Sequence, residues 1–169
     1  GTAQGTFTYS LDLPTSAWRT LDLDLTSSLD PSVAVQILGP LGVSIFSPFK
    51  WSTPPAVKLT GRIDGPGAPG GPHTTLQIDG RTTGEFRFQD FPLDDVSFSA
   101  AVRDNDIDVT QIFARFADGT LAGRTKISGE GRDRRIAFDY TLKDATLVRA
   151  VTILQDYTAR RKNEPPPPP

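Results

Sequence analysis

The sequence predicts a mostly β domain: a curved antiparallel β-sheet, or a jelly-roll-like open groove, of about nine strands with one short and one amphipathic helix. Three observations lead there. Apolar and polar residues alternate at period two through most of the 169 residues. Turn-forming residues recur at short intervals between the alternating runs. Gly and Pro, 15 of each, are abundant enough to punctuate many short elements.

Phe7, Tyr9, Leu11 and Leu13 form the first alternating series. Trp18, Leu21, Leu23 and Leu25 form a second, with a one-residue phase slip. Val57, Leu59 and Ile63 follow, then Leu76 and Ile78, then Phe86 and Phe88. Val96, Phe98, Ala100 and Val102 lead to Ile107 and Val109. Beyond Thr110 the apolar phase moves to Ile112, Ala114 and Phe116, as a β-bulge would produce, unless Phe113 faces inward. Leu121, Thr125 and Ile127, then Ile136, Phe138, Tyr140 and Leu142, complete the pattern. Reversals are expected at Asp79-Gly80, Arg103–Asp106, Asp118-Gly119 and Gly129-Glu130-Gly131. Short strands joined by short turns pair antiparallel with their sequence neighbours, so residues 56–143 read as a meander with one apolar face.

Two helices interrupt the strands. Asp30-Pro31 is a helix start, and Gly39-Pro40 ends a short helix near 31–38. The uncharged run from Pro31 to Phe49 has the length of a membrane span. Gly39, Pro40, Gly42 and Pro48 break it, so a buried or interface-lying broken helix is expected instead. The second helix, near 145–161, has Asp144 as its cap and Leu147, Ala150, Val151, Leu154 and Tyr157 at helical spacing. Arg160, Arg161 and Lys162 close it, where the helix dipole favours cations. It should pack across one face or end of the sheet. Residues 1–164 read as a single β-rich module and 165–169 as a proline-rich tail or linker. The start of the chain has no signal-peptide pattern, so an exported protein would contain it as an excerpt.

Composition narrows the function classes. Eighteen Lys and Arg against 20 Asp and Glu argue against nucleic-acid binding, which needs clustered cations. With no Cys, disulfides, thiolate metal sites and cysteine nucleophiles are excluded. His73, the single histidine, nearly excludes multi-histidine metal sites and a Ser–His pair. No catalytic residue, metal or cofactor is expected.

Three motifs have bland explanations. Gly65-Pro66-Gly67-Ala68-Pro69-Gly70 has the glycine spacing of a dinucleotide loop, but two prolines delete phosphate-binding amides and no helix follows. It reads as a mobile surface loop. Asp104, Asp106 and Asp108 alternate like a calcium loop, yet Val109 and Arg115 stand where glycine and glutamate are required. Asp22, Asp24, Asp94 and Asp95 read as strand-face or turn residues, although a carboxylate pair for glycoside hydrolysis could come from any strands.

The candidate binding residues are the inward apolar ones: Phe86, Phe88, Val96, Phe98, Ile107, Val109, Leu121, Ile127, Phe138 and Tyr140. They form either a closed core or the floor of a groove for acyl chains.

Ser47-Pro48-Phe49-Lys50-Trp51-Ser52-Thr53-Pro54-Pro55 leads into Val57-Lys58-Leu59-Thr60-Gly61-Arg62-Ile63. Later, Phe88-Gln89-Asp90-Phe91-Pro92-Leu93-Asp94-Asp95-Val96 precedes Asp118-Gly119-Thr120-Leu121-Ala122-Gly123. This order, over about residues 30–143, resembles the C-terminal repeat region of AsmA-like envelope proteins (the AsmA/TamB/YhdP group), with Asp90 where a glycine is common. The resemblance implies strongly curved sheets stacked into an apolar trough. It also implies a periplasmic module of an inner-membrane-anchored protein of diderm bacteria, anchored through a segment absent from this chain. Its partners would be phospholipid acyl chains and neighbouring repeats of the same polypeptide, and its role non-enzymatic transfer of lipid between membranes. The alternatives are an interaction module with a closed core, or a carbohydrate-active β-sandwich enzyme.

Overall fold

A computed structural model describes residues 1–12, 17–33 and 49–162. Ten strands make one sheet: β1 (Ala3–Asp12), β2 (Ala17–Ser27), β3 (Phe49–Trp51), β4 (Ala56–Asp64), β5 (His73–Arg81), β6 (Glu85–Phe88), β7 (Phe91–Arg103), β8 (Asp106–Phe116), β9 (Gly119–Ser128) and β10 (Arg135–Lys143). The order is β1-β2-β4-β5-β7-β8-β9-β10, every pair antiparallel. The thirteen-residue β7 carries β5 along its C-terminal part and β6 along its N-terminal part, with β3 outside β6. β1 and β10 end the sheet without pairing to each other, so the sheet is open. The strand beyond the expected nine is β3, whose three residues are too few for alternation to show.

Both phase slips in the sequence are bulges. The pairing of β1 with β2 shifts between Ser10 and Leu11, leaving Arg19 as the extra residue, so Trp18 returns to the face of Leu21. The pairing of β8 shifts around Thr110, which puts Ile112, Ala114 and Phe116 on the face of Ile107 and Val109. Phe113 therefore points to the other face, half exposed. A third irregularity, at Asp95 (φ 50°), keeps Leu93 and Phe91 on the face of Phe116. Each inserted residue rotates the rest of its strand, which is what preserves a one-sided surface across an irregular ladder.

Two reversals differ from the sequence reading. Asp79 and Gly80 lie inside β5, and Gly80 pairs with Val57 and Phe98. Glycine there serves a ring: a Cβ on Gly80 would lie 2.3 Å from the Phe98 ring. The β8–β9 turn is Ala117-Asp118, φ 51° and 68°, one residue earlier than Asp118-Gly119. Two consecutive left-handed residues match the strand twist in a two-residue hairpin. Gln89-Asp90 forms the β6–β7 turn in the same way, φ 49° and 67°. The Gly65–Gly70 segment begins the β4–β5 connection. It is held to β2, because the amides of Gly65 and Gly67 donate to the carbonyls of Arg19 and Trp18 at 2.7 and 3.1 Å. The expected mobile loop thus begins with a pinned turn, Gly65 buried beneath Trp18.

Helix α1 (Leu147–Lys162) lies over the end of the sheet that carries the β6–β7 and β8–β9 turns. Tyr157 meets Phe91 edge-on with centroids 5.2 Å apart, and Phe91 stacks on Phe116 at 5.4 Å. Arg149 pairs with Asp118, and the Thr146 amide donates to the Ala117 carbonyl at 2.8 Å. The cap position belongs to Thr146, whose carbonyl accepts from the Ala150 amide. Asp144, expected there, is two residues upstream with φ 57°. Val96, Ala114, Phe116, Ala117 and, from the helix, Ala159 are the buried residues of this small core.

Residues 31–33 are helical, and the Asp30 carboxylate accepts the Ser32 amide at 2.8 Å, as a cap should. The rest of the helix expected near 31–38, the apolar run up to Pro48, Leu13 and the 165–169 tail lie outside the described residues. Among the described residues no helix is long and apolar enough to cross a membrane.

Candidate functional site

Strand pairing aligns the apolar series into rows that cross the sheet. One row passes Phe7, Leu23, Gly61, Leu76, Val102, Ile107, Ile127 and Ile136, touching all eight strands of the main path. The next passes Gly5, Leu25, Leu59, Ile78, Ala100, Val109, Thr125 and Phe138. A third passes Ala3, Ser27, Val57, Gly80, Phe98, Ile112, Gly123 and Tyr140. At about 4.8 Å per strand, a row of eight is about 34 Å long, and neighbouring rows stand about 7 Å apart.

Polar side chains are few in these three rows. The Thr125 hydroxyl and the Tyr140 phenol hydrogen-bond each other at 2.6 Å. Glycine under an aromatic ring recurs: a Cβ on Gly123 would lie 2.2 Å from the Tyr140 ring, matching Gly80 under Phe98. With no side chain beneath them, these rings lie down across the neighbouring strand instead of standing up from the sheet. The result is a low apolar floor.

No large side chain is fully enclosed among the described residues. On this face of the sheet exposure is greatest on the edge strands: Phe7 is 71% exposed and Phe138 72%. An aromatic face open to this extent is unusual, because monomeric soluble proteins rarely leave contiguous apolar patches beyond a few hundred Å² uncovered. Helix α1 covers only the end over Phe91 and Phe116.

The opposite face is hydrophilic. One of its rows reads Thr6, Asp24, Thr60, Gln77, Ala101, Asp108, Lys126 and Ala137. Arg62 donates to both carboxylate oxygens of Asp22, at 2.7 and 3.0 Å, and these hydrogen bonds hold the Asp22 carboxyl below its ordinary value. Lys50 donates to one carboxylate oxygen of Asp90 at 2.6 Å and lowers that carboxyl likewise. Asp104 is lowered first by the Thr74 amide and then by His73, whose Nδ1 lies 3.4 Å away. His73 thus sits at an exposed strand end, away from the apolar rows. Asp106 accepts from the Gly129 amide, Asp95 from the Gly84 amide, and Asp94 stands across from Arg115. Among the described residues no group of three His, Asp or Glu could hold a metal ion.

Of the ten candidate residues, Phe98, Ile107, Val109, Ile127, Phe138 and Tyr140 lie in the three rows, and Leu121 is paired with Ala114 and Leu142 beside them. Val96 is on the same face but only 5% exposed, which removes it as a direct contact. Phe86 and Phe88 are drawn off the main path into a cluster with Phe49 and Trp51, centroids 5.3–6.1 Å apart. The β1 and β2 contributions, Phe7, Tyr9, Leu21, Leu23 and Leu25, were absent from the candidate set. Their alternation was legible, but only the pairing of β2 with β4 joins them to the same face.

These features define a class: an open antiparallel sheet with one hydrocarbon-like and one charged face. No protein-family model matches the chain, and neither a curated protein nor a solved structure is significantly similar to it.

Proposed function

We propose that this chain is a non-enzymatic module of an AsmA-like protein of the diderm cell envelope, shielding phospholipid acyl chains on the apolar face of its sheet as they pass between membranes. The observation that carries the reading is the set of apolar rows crossing all eight main-path strands, uncovered by the described residues except under α1. Hydrocarbon needs a continuous apolar strip and no directional hydrogen bonds, and each CH₂ taken from water contributes about 0.8 kcal/mol. A row of about 34 Å exceeds the thickness of one bilayer leaflet, about 15 Å, so a chain has room to slide. Smooth, repeated contacts favour movement over a single deep well.

The edges fit the same reading. β1 and β10 are ten and nine residues long, and among the described residues each pairs with a strand on one side only, so neighbouring repeats of the polypeptide would extend the sheet and continue the rows from the other. The protein would lie in the periplasm, with its membrane anchor elsewhere in the polypeptide.

Native mass spectrometry and lipid extraction of the purified chain test the proposal. Co-purified phospholipid is expected. A folded preparation free of lipid, which also takes up none from added phospholipid, would favour an interaction module instead.

A further inference from the structure

Helix α1 is amphipathic in an unexpected direction. The stripe of Leu147, Ala150, Val151, Leu154 and Tyr157 does not all face the sheet. Tyr157 and Ala150, with Ile153, are partly covered, while Leu147 and Val148 are 76% exposed, Leu154 47% and Val151 43%. At about 100° per residue, these four side chains share one side of the helix with the exposed Gln155, and Lys162 and Arg161, whose guanidinium lies 5.9 Å from the Tyr157 ring centroid, flank the same side at the C-terminal turn. Asp156, the single acid of the helix, points about 150° away. The hydroxyl of Thr158, also on this side, donates to the Leu154 carbonyl at 2.8 Å, so it presents no free donor.

From this arrangement we infer that α1 is a membrane-docking helix: its outer side inserts Leu147, Val148, Val151 and Leu154 among acyl chains while Arg161 and Lys162 meet anionic phosphate headgroups. An exposed face with an apolar body, a cationic end and no carboxylate complements an anionic bilayer surface. Arg149 is engaged with Asp118, and Tyr157 with Phe91, so the helix is fixed to the sheet by its other side and can dock without detaching. Docking would set the end of the sheet bearing Phe91 and Phe116 against the membrane. The inference stands apart from the lipid-shielding proposal, since it concerns the helix and not the sheet face.

Vesicle co-sedimentation of the full chain tests it, with phosphatidylglycerol–phosphatidylcholine mixtures against pure phosphatidylcholine. The wild-type chain should bind the anionic vesicles preferentially, and salt should weaken that binding. Leu147→Ser with Val151→Ser should reduce binding about a hundredfold. Arg161→Gln with Lys162→Gln should reduce it about 30-fold and abolish the preference for anionic lipid. Leu147, Arg161 and Lys162 are exposed and Val151 is 43% exposed, so circular dichroism should change little. Phe138→Asp, on the sheet face, should leave vesicle binding intact while reducing bound phospholipid, which separates this inference from the proposed function. Equal binding of wild-type and helix variants would overturn it, as would no binding at all. Self-association removed by the same serine substitutions would assign the helix face to a second copy of the chain and overturn it equally.

Discussion

Phe138→Asp is the most direct perturbation of the proposed lipid surface. Phe138 ends a row that begins at Gly5, and 72% of it is exposed, so its removal takes little from the fold. A phenylalanine side chain offers about 200 Å². An acyl chain lying across its open side would cover about 70 Å², worth about 1.8 kcal/mol at 25 cal/mol/Å². An ionised carboxylate in the same place adds a desolvation cost of about 1–2 kcal/mol. Together these amount to about 3 kcal/mol, or about a hundredfold weaker binding of a fluorescent acyl probe. The neighbouring Ala137 lies on the polar face, in the row of Lys126 and Asp108, so Ala137→Asp brings the same charge to the wrong side of the same strand. It should leave probe affinity within about twofold, a change of about 0.4 kcal/mol. Equal affinity of Phe138→Asp and wild type, or equal losses from the two variants, would refute the assignment of hydrocarbon to this face.

Further outcomes follow from the fold. Gly80→Ala should lower stability by about 1–3 kcal/mol, because the new Cβ collides with the Phe98 ring; Phe98→Leu should partly rescue it in thermal melts. Gln89→Gly should stabilise the chain by about 1 kcal/mol, raising Tm by about 2–4 °C, because the exposed Gln89 holds φ 49° in the β6–β7 turn. Asp22, Asp90 and Asp104 have folded-state values below the ordinary 3.8. Around that pH the unfolded chain binds more protons than the folded one, so their stabilisation is complete above it and lost as pH falls through the folded values. Tm should decline on acidification, and Asp22→Asn should flatten the decline; an unchanged slope would remove Asp22 from the account.

Sequence periodicity determined every described strand but β3, the bulges at Arg19 and Thr110 and the existence of an amphipathic helix, because each follows from local backbone geometry. A side chain's face is fixed by counting residues along one strand, and a bulge shows itself as a change in that count. The Asp30 cap was legible for the same reason, its hydrogen bond reaching only two residues along the chain.

Tertiary structure alone decided what that periodicity was for. Gly80 looks like a turn residue until Phe98 is brought beside it from another strand, and Val96 looks like a groove residue until the fold leaves it 5% exposed. Leu147 and Tyr157 belong to one stripe in sequence, yet only Tyr157 packs beneath the helix, because the position of Phe91 sets the rotation of α1. Openness of the sheet is likewise absent from any local pattern. An apolar alternation serves a closed core and an open trough equally well, and the difference lies in whether another part of the chain returns to cover it.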